Sequence, residues 1–235
     1  PKSGGWLNSV KVIMGFLEIA AAFKFISNVD LVWNWGIFDR NVVLLIWALI
    51  FILMSLYLLG IIKMPFDTPI KKFSFSRISF LVLFLFIGVY LSSGLFNNKL
   101  HGLIESYLPP PKQDSWIENL DEGYSIAKKM NKPIFIDFTG YTCTNCRWME
   151  INIFEENDVK KIFEDFVLVK LYTDGKEEVH KKNRLLEIER FGTAALPYYV
   201  ILSPDDEVLG TFPGMDTNKD NFINFLNNSR SNFED

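Results

Sequence analysis

Cysteine and histidine are scarce in this chain of 235 residues, each occurring only twice. Two cysteines cannot build the set of bridges that holds a small secreted scaffold together, so a stapled framework is excluded. They stand three positions apart, as Cys143 and Cys146, and no cysteine precedes them. A structural zinc would need two further ligands, yet there is no second cysteine pair, and His101 and His180 fall in a connector and on a charged helical stretch. His180 reads as a solvated helix residue, which leaves a cysteine–histidine hydrolase without its base. An excess of positive charge is also lacking: a net charge of -4 offers no basic stripe for nucleic acid. The chain opens at Pro1 rather than at Met, and reads as the C-terminal piece of a longer protein or as a processed one.

Apolar residues, by contrast, are plentiful. Hydrophobic side chains make up 49% and aromatics 15% of the chain, above an ordinary soluble domain, so part of it is expected in lipid. Three apolar stretches, residues 9–26, 42–62 and 78–96, each approach the roughly 20 residues that cross a bilayer as a helix. Lys11, Glu18 and Lys24 interrupt the first, and without a start Met or a small-residue cleavage site it is not a signal peptide. Ionisable groups are costly in lipid, so Glu18 is expected to face the bundle interior and Lys24 to snorkel outward. Neither acquires a role from the sequence.

Short cytoplasmic loops are rich in Lys and Arg. Lys63, Lys71, Lys72 and Arg77 lie between the second and third stretches, whereas only Arg40 lies between the first and second, beside Asp30 and Asp39. Together with Lys2 and Lys11, this puts the start and the second loop in the cytoplasm, the loop with Trp33 and Trp35 outside, and everything after Phe96 outside. Residues 1–97 are thus read as the membrane part. A connector, 98–113, contains Pro109-Pro110-Pro111 and is expected to be a semi-rigid polyproline spacer rather than part of a core. Residues 114–235 are a normal length for one domain.

Within that domain the pattern predicts a helix over Leu120–Met130, a buried strand over Pro133–Phe138, a helix from Cys143 to about Phe154 and a helical turn over Val159–Phe163. A second strand over Phe166–Tyr172, a charged helix over Lys176–Arg190, a hairpin of Tyr198–Leu202 with Val208–Phe212, and a last helix over Lys219–Leu226 complete it. This order indicates an α/β fold around a mixed sheet.

A Cys-x-x-Cys pair directly after a buried strand and at the head of a helix has a chemical logic. The thiolate is the nucleophile in disulfide exchange, and the positive end of a helix stabilises it. Cys143 is the expected attacking group, and Cys146, one turn on and more buried, resolves the mixed disulfide that results. Incidental core cysteines are the bland alternative.

The stretch Asp137-Phe138-Thr139-Gly140-Tyr141-Thr142-Cys143-Thr144-Asn145-Cys146-Arg147-Trp148-Met149-Glu150 resembles the C-terminal thioredoxin-like domain of the DsbD family of membrane thiol:disulfide interchange proteins. Pro1-Lys2-Ser3-Gly4-Gly5-Trp6 looks like the approach to the late helices of that family's membrane domain, and three helices, a connector and this domain match its C-terminal half in order. The resemblance implies a thioredoxin-like fold and a relay. Cytoplasmic thioredoxin reduces a cysteine pair in the membrane domain, the C-terminal domain takes the electrons, and an N-terminal periplasmic domain receives them. No metal, flavin or nucleotide cofactor is implied beyond the Cys143–Cys146 disulfide. Because no cysteine precedes Cys143, the membrane pair and N-terminal domain would have to lie upstream.

Two acids are candidates for tuning the thiols. Asp137, six residues before Cys143 in an apolar strand, is expected to point inward, raise thiol pKa values and relay the Cys146 proton; the alternative is a solvated strand-end acid. Glu150, four residues beyond Cys146, can approach the same thiol, or can be a solvated helix acid. Both roles are supported by the resemblance. By the same analogy Pro197 is a cis-proline facing the cysteines, and Leu196 before it offers backbone hydrogen bonds to a bound chain. Tyr141 and Trp148 flank the motif and either frame the contact surface or simply pack.

The sequence therefore points to a protein-disulfide reductase in the bacterial inner membrane with its C-terminal domain in the periplasm. Disulfide correction and cytochrome c maturation are its implied uses. A tethered oxidase or isomerase, a stand-alone tethered thioredoxin and a redox-inert binding module remain the rivals.

Overall fold

The protein was analysed as a computed structural model that describes residues 4–67, 69, 70, 72–96, 100, 102–109 and 116–234, with side chains from Leu7 onward. It divides into two units, taken in turn.

The first unit holds three helices, α1 (Gly4–Trp33), α2 (Arg40–Leu59) and α3 (Phe75–Ser93), the last followed by a 3-10 turn over Gly94–Phe96. Asp39 starts α2 by accepting the Val42 N–H at 2.9 Å, and Ser74 starts α3 by accepting the Arg77 N–H at 3.3 Å. The two helices approach so closely at Gly88 that a methyl group there would lie 2.9 Å from Ile52 Cγ1. Met54, Tyr57, Leu58 and Phe84 fill the contact, and Val12, Ile13, Phe16 and Leu17 of α1 pack against it. Large apolar side chains point outward as well, among them Phe25, Leu49, Phe75 and Phe86. A surface of this kind suits lipid, and three spans, Leu7–Trp33, Arg40–Leu59 and Phe75–Phe96, are long and apolar enough to cross a membrane.

Two expectations are corrected here. Glu18 does not face the interior of this unit; it is exposed, because the inward stripe of α1 runs through Ile13, Phe16, Leu17 and Ala20. Trp33 is the last residue of α1 rather than part of a loop, since the first helix runs well past residue 26; Trp35 does lie in the loop. That loop folds back on Asp30, whose carboxylate accepts the Ile37 and Phe38 N–H groups at 3.0 and 3.1 Å.

The expected spacer also changes. Its residues 98, 99, 101 and 110–113 lie outside the described residues, as do Lys2 and Lys71 of the charge argument, but Gly102–Tyr107 forms a helix, α4. Instead of an extended spacer, α4 packs along the helix Thr144–Asn152, with Ser106, Leu108 and Pro109 buried. Burial of Leu108 favours this docking, while Pro110 and Pro111 of the proline run lie outside the described residues.

The second unit continues with α5 (Leu120–Met130), β1 (Ile134–Thr139), α6 (Thr144–Asn152), α7 (Asn157–Phe163), β2 (Val167–Tyr172), α8 (Glu178–Phe191), β3 (Tyr198–Leu202), β4 (Val208–Pro213) and α9 (Lys219–Glu234). The sheet order is β2-β1-β3-β4, with β1 parallel to β2 and antiparallel to β3, and β3 antiparallel to β4. Alternation along the strands sorts side chains to two faces. Ile134, Ile136, Phe138, Val169 and Val200 join Ala127 of α5 on one face; Phe135, Tyr199 and Ile201 join Met149, Phe163 and Phe222 on the other. This is the expected α/β fold around a mixed sheet. Element ends move by at most two residues, and several not at all, except that α9 continues eight residues further, to Glu234.

Candidate active site

Strand β1 delivers the chain to the site. At its end Gly140 turns toward α6, and here a side chain has no room: a methyl group would lie 2.8 Å from Asp174 Oδ2 and 3.1 Å from Leu196 Cδ1. Asp174, just past β2, holds the turn by accepting the Tyr141 N–H at 2.7 Å, the Thr142 N–H at 3.0 Å and the Thr142 hydroxyl at 2.9 Å. Three charge-assisted bonds to one carboxylate make a rigid approach to the cysteines.

Cys143 is the N-cap of α6, and its Sγ accepts the Cys146 N–H at 3.1 Å. The two cysteines form a disulfide. Cys143 is partly exposed and Cys146 is buried, so only the first sulfur can be reached from outside. Once the bond is reduced, the unpaired N–H groups of the first turn favour a thiolate at Cys143.

The opposite rim is Leu196–Pro197. The peptide bond between them is cis, Pro197 is buried, and the Leu196 side chain borders Gly140. The structure thus brings Cys143, Cys146, Leu196 and Pro197 to one place. Tyr141 is half-buried and stacks on Tyr172 with ring centroids 3.9 Å apart, and burial pushes its phenol up to about 12. Its hydroxyl lies 3.3 Å from His180 Nε2. Trp148 packs partly buried against the Phe135–Phe222 cluster.

His180 corrects another expectation. Rather than solvated, it is buried, because its Nδ1 accepts the Glu177 N–H at 3.2 Å and closes a capping box at the start of α8. With Nδ1 an acceptor, the proton of the neutral ring sits on Nε2, facing Tyr141.

Beneath the disulfide lies a layer of buried charge. Register places Lys170 of β2 and Tyr199 of β3 directly across from Asp137 of β1, so the three side chains share the face that α6 covers. From α6 come Arg147 and Glu150, and Glu150 shares its helix face with Cys146. Asp137, Arg147, Glu150 and Lys170 are all at most 4% exposed. Glu150 is held by Arg147 Nη1 at 2.6 Å and by Lys170 Nζ at 3.0 Å. Arg147 Nη2 donates to Thr139 Oγ1 at 2.8 Å, and Lys170 also sits over the Trp116 ring at 4.9 Å. Neither oxygen of Asp137 meets an N–H or hydroxyl donor among the described residues, and its side-chain hydrogen-bond partner is the Glu150 carboxyl, which requires a shared proton. Burial, reinforced by the neighbouring Glu150 carboxylate, pushes Asp137 up to about 7. Burial and the same acids raise the Tyr199 phenol well above its ordinary range.

Asp137 and Glu150 were legible in the sequence; Arg147, Lys170, Asp174 and Tyr199 were not singled out. Lys170 carried a signal, being the lone charge in the strand Val167–Tyr172. Among the described residues no cluster of three His, Cys, Asp or Glu side chains is arranged to hold a metal.

Residues 115–204 match a family model described as thioredoxin-like. Fold and family match make the second unit a thioredoxin-like domain with a disulfide at the head of α6, following in sequence three helices long and apolar enough to span a membrane. Over 201 residues the chain is 24% identical to the thiol:disulfide interchange protein DsbD of Campylobacter jejuni, a match that covers 84% of this chain and 34% of that protein. The chain therefore spans about a third of the length of the curated relatives it matches first. Solved structures similar to it include the oxidised C-terminal domain of Neisseria meningitidis DsbD, at 16% identity and a TM-score of 0.41, covering 49% of this chain and 99% of that one. A second is the oxidoreductase DsbH, at 17% identity and a TM-score of 0.42, covering 52% and 91% respectively. The resemblance read from the motif is thus matched along most of the chain.

Proposed function

We propose that this chain is the membrane-anchored, electron-delivering part of a protein-disulfide reductase. The observation that carries the reading is the Cys143–Cys146 pair itself. A partly exposed sulfur caps a helix whose approach, at Gly140, borders Leu196 of the cis Leu196–Pro197 bond, and a buried sulfur shares a helix face with Glu150, the neighbour of an acid with raised proton affinity. In the reaction, the Cys143 thiolate attacks one sulfur of a partner disulfide, forming a mixed disulfide and releasing one partner thiolate. Cys146 then loses its proton and attacks Cys143 Sγ, forming the Cys143–Cys146 disulfide and releasing the second partner sulfur. Two electrons have moved to the partner, and Asp137 and Glu150 set the proton affinity of the resolving thiol. Leu196, Pro197, Tyr141 and Trp148 form the edge on which the partner chain lies.

Similarity to DsbD over 84% of the chain supports the wider assignment. In it the electrons come from a cysteine pair in membrane helices encoded upstream, fed by cytoplasmic thioredoxin. They leave to an N-terminal periplasmic domain of the same protein, for disulfide correction and cytochrome c maturation. Lipid of the bacterial inner membrane surrounds the three spans, and residues 114–235 work in the periplasm as one domain.

The test is a Cys146→Ala variant of the full chain in its membrane. It is expected to accumulate mixed disulfides through Cys143 that a reductant releases. Failure to form them while Cys143 remains open to alkylation removes the thiol-exchange reading. A reduction potential near that of strong oxidants, about -120 mV, replaces the reductase with an oxidase. Absence of two cysteines in the upstream membrane segments removes the relay.

A further inference from the structure

Two acids and two cations are buried together beneath the cysteines, yet the pairing is lopsided. Both cations contact Glu150, whereas Asp137 meets neither cation in a hydrogen bond and instead faces the Glu150 carboxyl, with which it can share a proton. The residue that makes the sharper of those contacts is Arg147, next in sequence to Cys146. It points inward rather than to solvent and is only 4% exposed. Its fork spans three elements, with Nη1 on Glu150 of its own helix, Nη2 on Thr139 of β1, and a further side-chain hydrogen bond to Tyr172 of β2. Burial opposes its charge, and Glu150, Tyr172 and Asp137 more than restore it.

We propose that Arg147 is a positioning residue that pins the Glu150 carboxylate in place against the sheet, leaving Asp137 as the carboxylate that takes the proton of Cys146. The inference rests on the thiol-exchange reading above. In the resolving step the Cys146 S–H bond breaks, its proton passes to an Asp137 oxygen, the sulfur bonds to Cys143 Sγ, and the partner thiolate leaves. The groups facing this transfer are Asp137 and Thr139 from β1, Lys170 and Tyr172 from β2, Tyr199 from β3, and Arg147 and Glu150 from α6. Without the guanidinium, Glu150 keeps only Lys170, and the layer becomes net negative. Asp137, which the Arg147 charge otherwise holds down, then keeps its proton more tightly and accepts that of Cys146 only at higher pH.

The experiment uses the full chain, reduced and held in detergent, mixed with 5,5'-dithiobis(2-nitrobenzoate). Attack by Cys143 releases a first thionitrobenzoate and resolution by Cys146 releases a second, so the two steps are read separately by absorbance. Arg147→Gln is expected to leave the first phase within about twofold. It should move the acid limb of the second phase up by about one pH unit, roughly a tenfold loss on that limb. Arg147→Lys keeps the charge without the fork and should shift it by less than half as much. In a Glu150→Gln background the effect of Arg147→Gln should fall by more than half, because the partner through which it acts is gone. An acid limb of Arg147→Gln that coincides with the parent overturns the proposal even if the variant unfolds more easily; should Arg147→Gln not fold, the Arg147→Lys limb must still lie measurably above the parent's, and coincidence there overturns the proposal. A parent chain without a second phase fails the thiol-exchange reading instead.

Discussion

On the α6 side of the sheet, Asp137, Arg147, Glu150 and Lys170 are buried as a group with two charges of each sign. On the α8 side the layer facing the sheet is apolar, and Glu187 of α8 is fully buried with neither carboxylate oxygen bonded to a donor among the described residues. Burial pushes Glu187 up to about 7, as it does Asp137. The two acids thus reach a similar proton affinity by different routes. Asp137 is raised by burial and by a like-charged neighbour within a set of opposed charges on the face that carries the cysteine helix, whereas Glu187 is raised by burial against the opposing charge of Arg184 only. Buried charge weakens a fold unless it is matched, so the α6 layer is kept at a cost, and its location beneath the cysteines explains the cost.

The comparison can be broken first at its most heavily paired member. Glu150→Gln leaves Arg147 and Lys170 buried without their carboxylate, and the second unit should lose about 4 kcal/mol in urea unfolding followed by tryptophan fluorescence. Next comes Asp137→Asn. A folded-state value of about 7, raised from an ordinary 3.8, means that the acid favours folding fully below about pH 4, and that this advantage fades as pH rises through 7. The oxidised parent should therefore lose stability over that window, by on the order of 3 kcal/mol, and the Asn variant should flatten the curve. On the other face, Glu187→Leu removes an acid whose burial is unmatched. It should be close to neutral at pH 5 and gain about 1–2 kcal/mol at pH 8, read from the same melts. The smallest effect is a surface control: Lys160→Ala breaks its exposed pair with Glu155, 2.9 Å apart, and should change stability by less than about 0.5 kcal/mol.

What the sequence disclosed follows from how local each signal is. The strands and helices of the second unit were legible because period and turn residues act over a few positions. The cysteine pair was legible because strand, turn and helix start adjoin it. Asp137 stood out as a charge in an apolar strand, and Lys170 carried the same signal in β2. Arg147 was hidden, since a cation on an amphipathic helix ordinarily faces water and only the Thr139–Glu150 fork turns it inward. Asp174 and His180 act across more than thirty residues, on Tyr141 and Thr142, and no spacing announces such contacts. The proline run overshadowed the six-residue helix α4, and Glu18 was placed inside because cost in lipid alone does not say which face of α1 is inward.

Cys143 has a second duty that bears on how the site behaves while bonds change. Its sulfur is the atom that exchanges partners and also the atom that closes the first turn of α6 by accepting the Cys146 N–H. An acceptor sulfur persists whether it is bound to Cys146, bound to a partner or free as a thiolate. The helix start need not be rebuilt between states, so little structural reorganisation accompanies the passage of each electron pair. Serine at position 143 would keep the cap and delete only the chemistry, whereas alanine would remove both.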